Sequence, residues 1–379
     1  MPDWKVPLAD VRVTEEDIAA VADTYRSGWL SMGPRTTAFE EAFASYVGVG
    51  HAFAVSSGTA ALHLMCLAAD LGPDDEVLVP SMTFVATANA IRYTGATPVF
   101  VDITGVDKPW MSVAGCERAV TGRTRAILYV DYGGHAGDLE ELVALADGHG
   151  LVMLQDAAHA IGGTLHARQV GAFGLASAYS FFSNKNLAIG EGGMVVTDDA
   201  RVAERIRVLR SHGMTTLSWD RHRGHATTYD VVALGFNYRI DEPRAALGTR
   251  RLARLDDDNA LRHEIDLRYR SRLEEHVHCA MPARDGVQSS HHIFTIVLPP
   301  GVDRAGFRVE LASSGVQTSI HYPPVHRFAI HSDGNPELPL TDQYAERTVT
   351  LPLFAHMTAA QQDLVIDAVI GALAEARRP

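Results

Sequence analysis

The sequence predicts an α/β protein: a mostly parallel central sheet with flanking helices, followed by a smaller α+β C-terminal domain. Three observations predict it. From about residue 50 to 200, short apolar runs alternate with helix-like stretches, the pattern of strands joined by crossover helices. Several of those runs, such as VLVP after Glu76 and LVML, are apolar throughout, as strands buried on both faces are. Beyond about residue 280 the strands and helices turn short and mixed. A chain of 379 residues is long enough for two lobes. The expected division is a large domain over 1–245, with an N-terminal helical arm, and a small one over 246–379, with a connector helix.

The elements follow in order. TEEDIAAVADTYRS, residues 14 to 27, reads as an amphipathic helix with Thr14 as N-cap, acids in the first turn and Gly28 after its end. SMGPRT reads as a turn and TAFEEAFASYVG as a helix stopped by Gly48 and Gly50. HAFAV is a strand, SSGT a small-residue turn and AALHLMCLAADLG a helix. EVLVP, TPVFVDI, RAILYV, LVMLQDA, SAYSFF and GMVVTDD are strands, with helices at TFVATANAIRYTG and LEELVALADGHG. ARVAERIRVLRSHG is a helix, and 215–240 is irregular and polar. DEPRAALG through LEEH reads as one long helix or two. HIFTIVL is a strand, RAGFRVELASSG a helix, and the tail from Thr358 a capped helix.

Composition narrows the function. The chain is 46% apolar and 21% charged, with a net charge of -13, which argues against nucleic acid or an anionic membrane as the main partner. No apolar run approaches membrane-spanning length, and MPDWKVPLADV has no signal-peptide core. Cys66, Cys116 and Cys279 are odd in number and far apart. A disulfide framework or zinc knuckle is not expected, and a reducing cytoplasm fits.

Only three of the 33 basic residues are lysines. Lys5 lies near a terminus and Lys108 in a polar turn, whereas Lys185 sits in AYSFFSNKNLAIGEGGMVV, between an aromatic run and a glycine-rich turn. Arg keeps its proton, but a desolvated Lys can lose it and become a nucleophile. A lysine snorkelling from a strand end is the alternative. SSGTAAL places Gly58 and the hydroxyls of Ser57 and Thr59 at a strand-to-helix turn, which suits a phosphate. QDAAHA places Asp156 at the end of a buried strand, where ligand crevices of α/β sheets open; Asp156 also suits an N-cap. A phosphate turn, a strand-end Asp and a lysine are what a pyridoxal phosphate enzyme requires: an anchor, a partner for the pyridine nitrogen, and the Schiff-base amine.

Beyond these three groups, the segments SGTAAL, PSMTFVATANAI, TPVFVDI, QDAAHAIGG, SFFSNKNLAIGEGGMVVTDD, GFNYRIDEPRAALG, HYPPVH and LPLFAHMT resemble the DegT/DnrJ/StrS sugar aminotransferases along nearly the whole chain. The resemblance implies the type I aspartate-aminotransferase fold and pyridoxal 5′-phosphate as cofactor. It implies Lys185 as the Schiff-base lysine and proton shuttle, and Asp156 on the pyridine nitrogen. His159 would contact the cofactor's phenolic oxygen, with Gly58, Thr59 and Ser180 on the phosphate and Phe84 stacked on the ring. Asn237 would reach the phosphate of a neighbouring subunit, which implies a homodimer with shared active sites. His321 and Tyr322 would lie near the sugar, and Arg239 could meet a diphosphate. Metal ligation by His321, His326 and His331 is not expected, because Pro323 and Pro324 break the spacing and no Cys or carboxylate completes a set. Most of the Arg-rich helix near 250 reads as a solvated face.

The expected function is transfer of an amino group from glutamate, or glutamine, to a nucleotide-linked keto-deoxyhexose. The nucleotide is expected to be dTDP and the position C4 rather than C3, in deoxyaminosugar and antibiotic biosynthesis. A keto-cyclitol aminotransferase and a non-catalytic cofactor-binding regulator are the rival readings.

Overall fold

The computed structural model describes residues 4–216, 228–332 and 336–376. Helix α1 (Glu15–Arg26) opens on a reciprocal cap: Thr14 Oγ1 accepts from Asp17 N at 3.2 Å, and Asp17 Oδ2 from Thr14 N at 3.3 Å. Asp17 is buried nonetheless, because Arg251 and Arg254 both pair with it. Helix α2 (Pro34–Val47) starts inside SMGPRT, which reads as a turn. Pro34 takes the first helical position, and Glu242 caps the end. Its carboxylate accepts from Gly33 N, Arg35 N and Thr36 N at 2.8, 2.9 and 2.8 Å.

The alternation then runs β1 (His51–Val55), α3 (Gly58–Ala68), β2 (Glu76–Pro80), α4 (Val85–Tyr93), β3 (Thr97–Val101), α5 (Val113–Ala119), β4 (Thr124–Val130), α6 (Leu139–His149) and β5 (Val152–Asp156). A short hairpin, β6 (Thr164–Leu165) and β7 (Arg168–Gln169), leads to β8 (Ala176–Ser180), β9 (Gly193–Thr197) and α7 (Ala200–Leu209). Seven strands form one sheet in the order β1-β9-β8-β5-β4-β2-β3. The ladders from β8 to β3 are parallel, and β9 is antiparallel to both neighbours. Apolar runs are continuous because both faces are covered. Along β2, Val77 and Val79 pack with Leu64, Ile91 and Ile206, while Leu78 between them packs with the cluster of Phe43, Ile127 and Leu142.

Of the irregular stretch 215–240, residues 217–227 lie outside the described residues. Its remainder is tied back by isolated bridges, Met214 to Val231, Ser211 to Asn237 and Val55 to Arg239. The Arg-rich stretch forms two helices, α8 (Glu242–Leu252) and α9 (Leu255–Leu273), parted at Ala253 and Arg254. α8 packs on α1 and α2, so positions 245 and 246 fall inside a helix that belongs with the N-terminal arm.

α9 carries Ile265, Tyr269 and Leu273 into a separate core. The elements after it are β10 (His278–Cys279), β11 (Val287–Gln288), β12 (Phe294–Val297), α10 (Arg304–Ser313), α11 (Pro339–Arg347), β13 (Thr348–Leu351) and α12 (Ala359–Ala376). β10, β12 and β13 make an antiparallel sheet whose Phe294, Ile296 and Val349 meet Val365 and Val369 of α12. β11 pairs instead with β6, and with β7 they make a separate three-stranded sheet that ties the C-terminal part to the hairpin between β5 and β8. Thr358 caps α12, accepting from Gln361 N at 3.2 Å. Among the described residues no helix is long and apolar enough to cross a membrane. The three cysteines are free and buried.

Candidate active site

The carboxyl ends of β2, β4, β5 and β8, and the turn after β1, open onto one cavity of ≈ 350 Å³. Open α/β sheets bind ligands at this end of their strands. Each segment brings a different group. The turn after β1 contributes Gly58 and Thr59, the loop after β2 Phe84, β5 and its loop Asp156 and His159, and β8 with its loop Ser180 and Lys185. His321 and Tyr322 close the cavity from the C-terminal part.

The turn is built for close approach. Ser57 caps α3 by accepting from Ala60 N at 3.1 Å, and Gly58 and Thr59 form the first turn at the positive helix end. A Cβ on Gly58 would stand 2.8 Å from Ser180 Cβ and 3.0 Å from its Oγ. The bare backbone lets helix terminus and hydroxyl share one small space, which fits a phosphate.

Asp156 is buried, and its two oxygens have separate partners. Oδ2 accepts from Thr87 Oγ1 at 2.7 Å and Oδ1 from Ala158 N at 3.1 Å. The local cap and the exit into the cavity are thus both present in one side chain. Burial raises its pKa, against the opposing pull of Thr87, Ala158 and Lys185. Burial also lowers Lys185 to about 8, with Asp156 pulling the other way. An amine with this pKa is a nucleophile at neutral pH in a usable fraction.

His159 has a fixed tautomer. Gly133 N–H donates to Nδ1 at 3.2 Å, so the ring hydrogen is on Nε2, which donates to Tyr322 Oη at 2.9 Å. Burial, then Lys185 and His321, hold His159 well below the usual histidine range. Burial and Lys185 likewise lower His321 to about 4. The histidines of this wall are neutral hydrogen-bonding groups. The Phe84 ring is 54% exposed and stands 5.6 Å from the Tyr322 ring, free on one side to stack.

Two expected residues lie elsewhere. Asn237 is exposed on the bridge to Ser211, and Arg239 Nη1 donates to Ser211 Oγ at 3.1 Å; neither lines the cavity of its own chain. The histidines of HYPPVHRFAIH also diverge: His321 Nδ1 meets Thr350 Oγ1 at 2.9 Å, His326 Nδ1 meets Ser81 Oγ at 2.7 Å, and His331 Nε2 meets Asn89 Oδ1 at 2.8 Å. No group of three metal-ligating residues exists among the described residues.

The sequence did not single out Thr87, Asn184, Asn186, Glu191 or His292. Asn184 and Glu191 line the cavity, and His292 Nε2 lies 3.5 Å from Lys185 Nζ. The two asparagines flanking Lys185 in SNKN were a visible signal. His292 carried none, since it is remote in the chain and looks like the start of an apolar strand.

The residues present fit pyridoxal phosphate: a bare helix terminus beside a hydroxyl, a buried carboxylate that needs a cationic partner, a half-buried amine and an exposed aromatic face. The sequence pattern of the DegT/DnrJ/EryC1/StrS aminotransferase family matches residues 11–370. The spore coat polysaccharide biosynthesis protein SpsC of Bacillus subtilis (strain 168) is 39% identical over 378 residues, covering 97% of this chain and 95% of its own. The crystal structure of S. venezuelae DesV in complex with a ketimine intermediate is 36% identical, with a TM-score of 0.89 and 99% of both chains covered. The PLP form of the putative sugar aminotransferase Spr1654 from Streptococcus pneumoniae is 26% identical, with a TM-score of 0.92 over 98% of this chain and 100% of that one. The chain belongs to the DegT/DnrJ/EryC1/StrS aminotransferase family and is a pyridoxal-phosphate-dependent sugar aminotransferase of the type I fold.

Proposed function

We propose that the enzyme moves an amino group from glutamate, or glutamine, to the ketone of a nucleotide-linked keto-deoxyhexose, at C4 in preference to C3 and with dTDP as the nucleotide. One observation carries the assignment of roles: Lys185, with its lowered pKa, shares a cavity with Asp156 and the Gly58 turn. Gly58, Thr59 and Ser180 would hold the phosphate, Phe84 would cover the ring, and Asp156 would keep a proton on the pyridine nitrogen. When bound, the cofactor takes up and returns the amino group and draws electrons from the carbon being deprotonated. Lys185 removes and returns that proton, alternating between amine and ammonium around a pKa of about 8. His159 donates from Nε2 to Tyr322, whose own hydroxyl hydrogen is then available to a ligand oxygen. A wall of neutral His321, Tyr322 and Asn184, with Glu191 as an acceptor, suits a hydroxyl-rich acceptor molecule.

The segment leading to Asn237 exposes Tyr229, Val231, Val232 and Leu234, an apolar surface that a second copy of the chain would cover. Tyr238 O accepts from Ser56 N at 2.8 Å, so the segment runs beside the phosphate turn. In a two-fold dimer Asn237 would complete the neighbour's phosphate site.

The acceptor is tested with the pyridoxamine form of the enzyme. It is challenged with a panel of keto-sugar nucleotides and keto-cyclitols, and return of the aldehyde absorbance marks a productive acceptor. Return with dTDP-4-keto-deoxyhexoses supports the proposal, and return only with free cyclitol ketones overturns it.

A further inference from the structure

Two backbone carbonyls fix the hydrogens of a chain of side chains that ends at Lys185. Asn259 Nδ2 donates to Ile161 O at 3.1 Å, which leaves Asn259 Oδ1 as the acceptor for Asn186 Nδ2 at 2.7 Å. Asn186 Nδ2 also donates to Ser290 O at 2.7 Å. The Asn186 amide is therefore oriented, with Oδ1 toward His292 Nδ1 at 3.0 Å. An amide oxygen only accepts, so the hydrogen of His292 is on Nδ1. The arrangement reaches back to the QDAAHAIGG stretch: a Cβ on Gly162 would stand 2.4 Å from Asn259 Nδ2, so a glycine there leaves the amide its place.

His292 is buried, 4% exposed. Burial, then His159, Lys185, Arg262 and His321, hold it well below the usual histidine range, so its ring is neutral. A neutral ring with its hydrogen on Nδ1 has a lone pair on Nε2. That atom lies 3.5 Å from Lys185 Nζ, a long contact that a small torsion of the lysine stem would tighten.

We infer that His292 is a positioning residue for Lys185: its Nε2 lone pair, aimed by Asn186, receives the ε-amino group whenever Lys185 is not joined to the cofactor. This rests on the reading of Lys185 as the reacting amine. An ammonium in a half-buried site needs an acceptor, and a neutral imidazole offers one without adding a charge that would hold the proton too tightly. The opposite tautomer would set N–H against the ammonium. The other groups facing this pair are Asp156 at the end of β5, His159 in the loop after it, Arg262 from α9, and His321 and Tyr322 from the C-terminal loop. Arg262 spends a donor on the His292 and Leu353 carbonyls. His159, His321 and Tyr322 stay neutral near pH 8, so Lys185 is the member of this set whose charge changes there, with Asp156 as the group that pulls its pKa back up.

The scarcity of lysine makes a direct test possible. Enzyme in its pyridoxamine form, where Lys185 is a free amine, is labelled with carbon-13 at lysine Cε; it gives three lysine signals, assigned with Lys5→Arg and Lys108→Arg. In His292→Phe the Lys185 midpoint should fall by about one unit or more, the effect of losing an acceptor for a charged group. His292→Gln, whose amide oxygen reaches the place of Nε2, should restore most of it. Asn186→Ala should also lower the midpoint, and should add little to His292→Phe because both act through one contact. An unmoved Lys185 midpoint in His292→Phe, with cofactor still bound, overturns the inference. The unaltered enzyme gives a second test: a nitrogen-15 histidine spectrum, with His292 identified by its loss in His292→Gln or its shift in Asn186→Ala. Hydrogen on Nδ1 supports the inference, and hydrogen on Nε2 overturns it. Failure of the underlying reading looks different, since borohydride would then fix the cofactor at a residue other than Lys185.

Discussion

Tyr322 Oη and His159 Nε2 are 2.9 Å apart across 163 residues of chain. The bond joins the C-terminal part to the loop that follows Asp156. Because Gly133 occupies the other ring nitrogen, His159 has no alternative tautomer with which to compensate. Tyr322→Phe should leave a buried N–H without its acceptor and lower stability by about 1–2 kcal/mol. The check is the urea midpoint at unchanged slope; an unshifted midpoint would mean that the bond contributes no net stability.

Lys185→Ala and Lys185→Arg should abolish turnover while far-UV circular dichroism stays native. Borohydride should fix the cofactor to a peptide containing Lys185, and fixation at Lys5 or Lys108 would sink the assignment. The sign of the pH dependence follows from the lowered pKa. Below about 8 the amine is protonated and unreactive, so capture of added pyridoxal phosphate by apo-enzyme should rise about tenfold per pH unit and level off above about 8. A rise that continues to pH 10 would mean that burial does not lower the lysine.

Asp156→Asn should keep part of the cofactor but lose most activity. The amide preserves the Thr87 contact on its oxygen yet cannot hold a proton on the pyridine nitrogen. The barrier should rise by several kcal/mol, on the order of 3, as when other preorganised electrostatic groups are removed. Near-normal kcat would reduce Asp156 to the cap on Ala158.

Gly58→Ala should weaken cofactor binding at least tenfold, roughly the loss of one charge-assisted hydrogen bond, because its Cβ collides with Ser180. The double variant Gly58→Ala with Ser180→Gly removes the collision. It should recover part of the affinity, short of the share due to the lost hydroxyl. Equilibrium dialysis with pyridoxal phosphate measures both. Tight binding by the single variant would show that the close approach is incidental.

Complementation tests the shared site. Lys185→Ala chains are mixed with Asn237→Asp chains, whose carboxylate should repel the phosphate. In a mixed dimer one site carries both defects and the other neither, so up to about a quarter of normal activity should return when exchange is statistical. No recovery despite demonstrated subunit exchange would place Asn237 outside any active site.

The sequence by itself determined the sheet, because strands buried on both faces and helices stopped by glycine follow from local composition. Val77, Leu78 and Val79 are all apolar since the sheet is covered on either side. It also marked the reacting groups. A lone lysine among arginines, an aspartate ending a buried strand and a bare glycine turn are each legible locally, and the strand-end rule places them at one edge. What only the tertiary structure decided involves partners that are far apart in the chain. The start of α2 at Pro34 depends on Glu242, more than 200 residues away, so its N-terminal residues read as a turn. The break between α8 and α9 leaves little trace in an arginine-rich pattern that continues across it; there Arg251 and Arg254 turn to Asp17. The hydrogen on each active-site histidine was likewise hidden. His159 is set by Gly133 and Tyr322, and His292 by Asn186 and, behind it, by Asn259 and two carbonyls. Residue types announce which chemistry is available, but a proton's position is set by whatever polar atom lies three ångströms away, and long-range packing chooses that atom.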